Sequence, residues 1–192
     1  MRVGILGGTF NPPHIGHLHI SKVALNTMQL DAIWWMVTPQ NPLKPSDGLP
    51  SVEERVKLSK ALIDHPKILV TGIEQNLNST FTYETVRTLK KRFPCTEFAW
   101  ITGMDNAHNL HLWQHWKDLL QHICMIHITR HPPVKLIKSC PLRMLSSQKH
   151  ITVNHGGCYP LDSQTTYWLL QKKMINISST EIREKMLSNT KG

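Results

Sequence analysis

The sequence predicts an α/β fold in which a doubly wound parallel sheet carries helices on both faces. Three observations predict it. Apolar runs of five to seven residues with a β-branched bias alternate with stretches of helical periodicity as far as residue 129. The first run ends on Gly7-Gly8, immediately before a helical pattern, which gives a strand, a glycine turn and a helix. The chain has 192 residues, 40% of them hydrophobic and 18% charged, which suits one domain large enough to bury a core.

The elements follow in order. "RVGIL" at 2–6 is the first strand, and Ile20, Val23, Ala24 and Met28 lie at helical spacing after it. "AIWWMVT" at 32–38 is the second strand, and "PQNPLKPSDGLP" after it is too rich in Pro, Asn and Gly for regular structure. Ser51-x-x-Glu54 matches a capping box at the start of a helix with an apolar side of Val52, Val56, Ala61, Leu62 and Ile63. "KILVTGI" at 67–73 is a strand, and "TYETVRTLKKRF" is a helix capped by Thr82 and stopped by Pro94. "EFAWIT" at 97–102 is a strand, "WQHWKDLLQH" a helix and "ICMIHIT" a strand. Residues 131–172 have weak periodicity: "ITVNH" reads as a short strand, and "TTYWLLQKK" fits either strand or helix. "SSTEIREKML" reads as a capped helix with Ser179 or Thr180 near its start.

Composition excludes several classes. No apolar run is long enough to cross a bilayer, and "MRVGILGG" reads as a strand and not as a leader, so the expectation is a cytoplasmic protein without a membrane partner. The four cysteines lack the close spacing of a zinc knuckle and are expected to be reduced. Neither "HIGH" nor "HNLHLWQHW" has carboxylates or thiolates arranged as a cage, so no protein-held metal is expected. The net charge of +9 suits an acidic partner, either nucleic acid or phosphorylated small molecules, and equally suits a solvated basic surface.

"GGTFNPPHIGH" at 7–17 is the stretch that carries chemistry. In doubly wound sheets ligands bind beyond the carboxyl ends of the strands, where this turn lies. Glycines let backbone approach a ligand, and a helix N-terminus offers free N–H groups to a phosphate. His14 and His17, three apart, share a face of the first turn and become positioned donors; the competing reading is that they only cap the helix. The turn is not a Walker A loop, since no Gly-Lys-Ser/Thr follows, and it lacks the G-x-G-x-x-G of dinucleotide redox folds.

"HIGH" in this setting resembles the signature of the nucleotidylyltransferase superfamily, which class I aminoacyl-tRNA synthetases share. "ISSTEIR" at 177–183 is similar to that superfamily's second phosphate motif; the lysine-rich Lys-Met-Ser-Lys-Ser loop of the synthetases is missing. The order of "GGTFNPPHIGHL", "NPLK", "TFTYETVRTL", "ITGMDNAHNLHLWQHW" and "ISSTEIR" resembles bacterial nicotinate-nucleotide adenylyltransferases, over residues 1–130 and 174–188. The resemblance implies a Rossmann-like nucleotidylyltransferase domain spanning 1–192, with 131–172 a variable segment and 174–192 a C-terminal helical segment. It implies adenylyl transfer from ATP to nicotinate mononucleotide, giving deamido-NAD and pyrophosphate in NAD biosynthesis, with Mg²⁺ riding on the ATP phosphates.

The resemblance also implies roles. His17 donates to the α-phosphate, His14 supports the site beside it, and Gly8, Thr9 and Phe10 meet substrate through backbone. Ser179 and Arg183 hold the β- and γ-phosphates, and Ser178 and Thr180 shape that helix start. Asp105 accepts from the adenosine ribose, or caps a helix, and Gly103 lets the nucleotide come close. On the acceptor side Trp116 stacks on the nicotinate ring unless it is a core residue, with Trp113 the better core candidate. Thr85 holds the nicotinate carboxylate or serves the helix start. Asn41 and Lys44 reach the mononucleotide phosphate, Lys44 being otherwise a solvated loop cation, and Arg130 lies on the nucleotide side. The chain departs from the family at Asn11, where aspartate is more usual, and at Pro42-Leu43, where Pro-His is usual; it also stops soon after "REKM" at 183–186, where relatives usually continue into another helix. Three alternatives stay open. One is an adenylyltransferase for nicotinamide mononucleotide or phosphopantetheine, another a cytidylyltransferase. The third is a non-catalytic RNA binder on the same fold, against which stands the dispersal of Lys and Arg.

Overall fold

The computed structural model describes residues 1–40, 48–77, 81–128, 141–171, 175 and 177–189. Strands β1 (Arg2–Gly8), β2 (Ala32–Val37), β3 (Ile68–Thr71), β4 (Glu97–Gly103), β5 (Cys124–Ile128), β6 (Ser147–Thr152) and β7 (Thr165–Leu170) form one sheet in the order β3-β2-β1-β4-β5-β7-β6. All the strand pairings are parallel. The helices among the described residues are α1 (Ile15–Thr27), α2 (Val52–Leu62), α3 (Thr82–Arg92), α4 (Met104–Asn109), α5 (Trp116–His122) and α6 (Ser179–Asn189). The winding direction reverses at β1, which pairs with β2 on one side and β4 on the other. The turn after Gly8 therefore opens at the switch point, where a crevice forms between diverging connections.

Strands buried on both faces read as unbroken apolar runs because successive side chains enter opposite cores. β5 is the extreme case, with all five residues buried. Val3, Ile5, Phe98, Trp100, Met125 and Trp168 face one core, closed by Val86 and Leu89 of α3 and Leu119 and Leu120 of α5. Leu6, Ile33, Trp35, Ile101, Ile126, Tyr167 and Leu169 face the other, closed by Ala24 and Leu25 of α1 and Val52 of α2. The capping box of α2 forms as expected: Glu54 N donates to Ser51 Oγ at 3.1 Å and Ser51 N to a Glu54 carboxylate oxygen at 2.9 Å.

Several expectations change. Thr82 does not cap α3; it is the first helical residue, and Phe81 occupies the cap position without a side-chain bond. The expected helix over 113–122 forms only from Trp116, as α5, because His115 at its N-cap takes a left-handed φ of 56°; a separate 3₁₀ turn, Leu110–Leu112, precedes it. The short helix α4, just after β4, had no periodic signal of its own. In the weakly patterned segment, β6 and β7 extend the sheet, and "TTYWLL" is a strand. Its side chains alternate between the two cores, a period of two that a short apolar run does not advertise.

Gly7 is fixed by packing. A Cβ there would stand 2.5 Å from Cζ2 of the Trp100 indole, a rigid ring held in the core. Gly7→Ala is expected to lower unfolding free energy by about 1–3 kcal/mol through overpacking. Urea denaturation checks this; an unchanged midpoint would show that the indole can move aside.

Candidate active site

The turn leaves β1 at Gly8 and passes through Phe10, which has a left-handed φ of 47° although it is not glycine. Aromatic burial holds it there. The Phe10 ring is 2% exposed, stacks on Trp35 at 4.9 Å with 16° between planes, and lies 4.8 Å from the His17 ring. Trp35 is itself anchored, its indole N–H donating to Ser21 Oγ at 2.7 Å, and Ser21 Oγ donating to the His17 carbonyl at 2.8 Å. Neither Ser21 nor Trp35 was expected at the site. Their only sequence signal is an apolar-strand tryptophan and a serine four residues after the second histidine.

The two histidines both cap the start of α1. His14 is the N-cap of α1 in extended backbone, and its Nδ1 accepts from Gly16 N at 3.1 Å. His17 Nδ1 accepts from His14 N at 3.2 Å, and the rings stack at 3.8 Å. An imidazole whose Nδ1 accepts from a backbone N–H carries its neutral-form proton on Nε2, which makes Nε2 a donor. Capping and donation thus use different nitrogens, and the two readings of the sequence are compatible. Gly16 is required between them. A Cβ on it would meet the His14 ring at 2.8 Å and Ile177 Cγ2 at 3.1 Å.

Ile177 belongs to the C-terminal motif, which docks on the turn. Ser179 Oγ donates to the Pro12 carbonyl at 2.9 Å, and Arg183 Nη1 donates to the Asn11 carbonyl at 2.5 Å. Arg183 Nη2 also reaches Thr180 Oγ1 at 3.3 Å. Ser178 is the residue that caps α6: Glu181 N donates to Ser178 Oγ at 3.2 Å and Ser178 N to a Glu181 carboxylate oxygen at 3.1 Å. The structure therefore brings His14, His17, Ser179 and Arg183 to one turn, with two helix N-termini, those of α1 and α6, at its edge. Such a set offers positioned N–H donors and a cation to a polyphosphate.

A family model described as cytidylyltransferase-like matches residues 5–185. A "Probable nicotinate-nucleotide adenylyltransferase" of Ruegeria sp. strain TM1040 is 35% identical over 185 residues, covering 96% of this chain and 97% of that protein. One of the same name from Agrobacterium fabrum strain C58 is 34% identical over 183 residues, covering 95% and 98%. The chain belongs to the nicotinate-nucleotide adenylyltransferase family, within the cytidylyltransferase-like group. The fold agrees with a solved structure of Plasmodium falciparum nicotinic acid mononucleotide adenylyltransferase complexed with NaAD, at a TM-score of 0.70 and 20% identity, covering 95% of this chain and 82% of that one.

The remaining residues that the family resemblance singled out are placed as follows. Gly103 precedes α4 at its N-cap, with open space within 4 Å of its Cβ position. Asp105 is the second residue of α4, so Gly103 and not Asp105 holds the cap; the Asp105 side chain lies outside the described part of the structure. Trp116 opens α5, and both it and Trp113 are half-buried against the same core, so burial does not separate them. Thr85 is fully buried, and its hydroxyl donates to a Glu74 carboxylate oxygen at 3.0 Å. Glu74 is only 6% exposed, and its burial raises its pKa while the Thr85 bond lowers it. Asn41, Lys44 and Arg130 lie outside the described residues. Among the described residues no helix is long and apolar enough to cross a membrane.

Beside Gly103, Thr102 Oγ1 lies 2.6 Å from Nδ1 of His127, a fully buried residue of β5 whose Nε2 has no partner and whose ring rests on Trp168 at 4.7 Å. Burial drives the His127 pKa down to about 3. The unfolded chain then binds a proton near pH 6.5 that the folded chain refuses, so stability falls as pH drops through that window. Relative to His127→Leu, the wild-type chain is expected to lose up to about 1.4 kcal/mol per pH unit below 6.5. Urea melts of both proteins at pH 7, 6 and 5 measure it, and a constant difference would mean that His127 titrates normally.

Proposed function

We propose that this chain transfers the adenylyl group of ATP to nicotinate mononucleotide, giving deamido-NAD and pyrophosphate. The observation that carries the reading is the docking of Ser179 and Arg183 onto the carbonyls of Asn11 and Pro12, in the turn that also positions His14 and His17. The attacking group, the 5′-phosphate of the mononucleotide, is already an anion and needs no general base. Its oxygen forms a bond to the α-phosphorus of ATP as the bond from that phosphorus to the bridging oxygen breaks, and pyrophosphate leaves with the electron pair. Catalysis is then positioning and charge stabilisation. His17, through Nε2, donates to the α-phosphate, and His14 steadies the ring beside it. Ser179 and Arg183 turn to the β- and γ-phosphates, with Ser178 and Thr180 forming the helix start that supports them. Gly8, Thr9 and Phe10 present backbone to the nucleotide. Gly103 gives clearance for the nucleotide, and Asp105 accepts from its ribose.

Asn41 and Lys44 take the acceptor phosphate, Trp116 the pyridine ring, and Arg130 the nucleotide side. ATP enters as its Mg²⁺ complex. The triphosphate oxygens supply ligands to that ion. A cytoplasmic setting accords with Cys95, Cys124 and Cys158 being free thiols.

A second reading has one observation in its favour. Thr85, the candidate for the nicotinate carboxylate, already donates its proton to Glu74, which leaves the hydroxyl oxygen better suited to accept from an amide. Nicotinamide mononucleotide is therefore the competing acceptor. Pyrophosphate release should be measured with MgATP and, separately, nicotinate mononucleotide, nicotinamide mononucleotide and phosphopantetheine. The fastest release is expected with nicotinate mononucleotide; a preference for phosphopantetheine overturns the assignment. His17→Ala should reduce turnover at least ~100-fold, as loss of a transition-state donor does. Turnover near that of the wild type would remove His17 from the chemistry.

A further inference from the structure

The His17 imidazole is set among aromatic rings, with His14 at 3.8 Å, Phe10 at 4.8 Å and Trp35, edge-on, at 5.9 Å between centroids. Phe10 stacks on Trp35, so the place of both rings depends on how the indole is held. Ser21 holds it by direction. Fully buried in the middle of α1, its Oγ accepts from the indole N–H at 2.7 Å and donates to the His17 carbonyl at 2.8 Å. Stability is a poor reason for this arrangement. A serine that bonds back to the carbonyl four residues earlier weakens a helix slightly. A buried donor and acceptor that satisfy each other add little over apolar groups of the same shape. Nor does the path of the turn depend on them. Arg55 of α2, 1% exposed, donates through Nη1 to the carbonyls of Thr9 and Thr38, both at 2.7 Å, through Nη2 to that of Pro39 at 3.1 Å and through Nε to that of Pro50 at 2.9 Å. Those bonds fix the backbone at Thr9 and leave the rings to be set by other contacts.

We propose that Ser21 and Trp35 are positioning residues for His17, acting as one unit through their shared hydrogen bond to fix the plane of its imidazole. The functional half rests on the reading above, in which His17 donates to the α-phosphate through Nε2. The bond from His14 N to His17 Nδ1 is 3.2 Å, at the long end of the range, and by itself orients the ring loosely. With Phe10 and Trp35 packed beside it, the ring has fewer rotations open to it. Removing the Ser21 hydroxyl leaves the buried indole N–H without its acceptor. The indole must then turn to find another, and Phe10 and the His17 ring shift with it.

Ser21→Ala and Trp35→Phe test this, the second keeping an aromatic ring on Phe10 while removing the N–H donor. Each is expected to lower kcat for pyrophosphate release roughly tenfold, the size of one hydrogen bond lost from orientation, with both KM values within about twofold of the wild type. The double variant should be no worse than the poorer single one, because the two residues act together. A second reading does not depend on turnover. In ¹⁵N NMR spectra at about pH 8.5, with the imidazoles neutral, the His17 ring, identified by its loss in His17→Ala, should carry its proton on Nε2. In Ser21→Ala the Nδ1–H form should gain. A purely structural role would lower the melting temperature while leaving kcat per folded molecule and the tautomer as they are, and that result overturns the proposal; so do additive losses in the double variant. A tautomer shift in a chain that releases no pyrophosphate with nicotinate mononucleotide supports the positioning while overturning the adenylyl-transfer reading. Should Ser21→Ala fail to fold, Trp35→Phe is judged by its own kcat, KM and tautomer.

Discussion

The structure around the turn depends on a side chain that is not there. With hydrogen at Gly16, the His14 imidazole lies 2.8 Å and Ile177 3.1 Å from where a Cβ would stand. That closeness lets the segment at 177–183 reach the opening turn, and with it the bonds from Ser179 and Arg183 to carbonyls 167 and 172 positions away. A methyl group on Gly16 would push against a ring that is already tied, through Nδ1, to the backbone of the same helix start. The first motif, its cap and the second motif are in this sense one packing unit, with Gly16 at its centre.

Around that unit short-range contacts fix the rings. Each imidazole spends Nδ1 on a backbone N–H, which places its proton, in the neutral form, on Nε2. Phe10 tolerates a left-handed φ because its ring is clasped between Trp35 and His17, and Trp35 is fixed by Ser21, whose hydroxyl returns to the His17 carbonyl. These are short chains of contact through buried groups, where each bond is shielded from competing water and defines one geometry. An enzyme whose nucleophile arrives already ionised gains most from this kind of rigidity, since orientation and charge placement are what remain to be supplied.

Legibility in the sequence varied with the range of the interaction. Capping boxes at Ser51–Glu54 and Ser178–Glu181 lie within four residues and could be read directly or nearly so. The "HIGH" and "ISSTEIR" runs were visible as motifs, but not the carbonyls that their side chains would grip. Arg55 sits in "SVEERVKLSK", where it looks like any cation on a solvated helix face, and only the sheet and two loops around it make it a buried one. Thr85 was assigned by resemblance to the acceptor, yet its hydroxyl is held by Glu74, eleven residues earlier, a pairing with no local signature. The strand β7 was ambiguous because six apolar-leaning residues carry too little periodicity to separate a two-residue repeat from a helical one.

By itself the sequence determined the alternation of strands and helices, the parallel sheet and the chemical inventory of the two phosphate motifs, because periodicity, caps and glycine turns act over a few neighbouring residues. Tertiary structure alone decided which nitrogen of each histidine is spent on the backbone, that Gly16 is the meeting point of the chain's two ends, and that Arg55 is buried against four carbonyls. Those outcomes depend on distances between segments far apart in the chain, and such distances exist only once the sheet has set the order β3-β2-β1-β4-β5-β7-β6 and brought the connections at its carboxyl edge together.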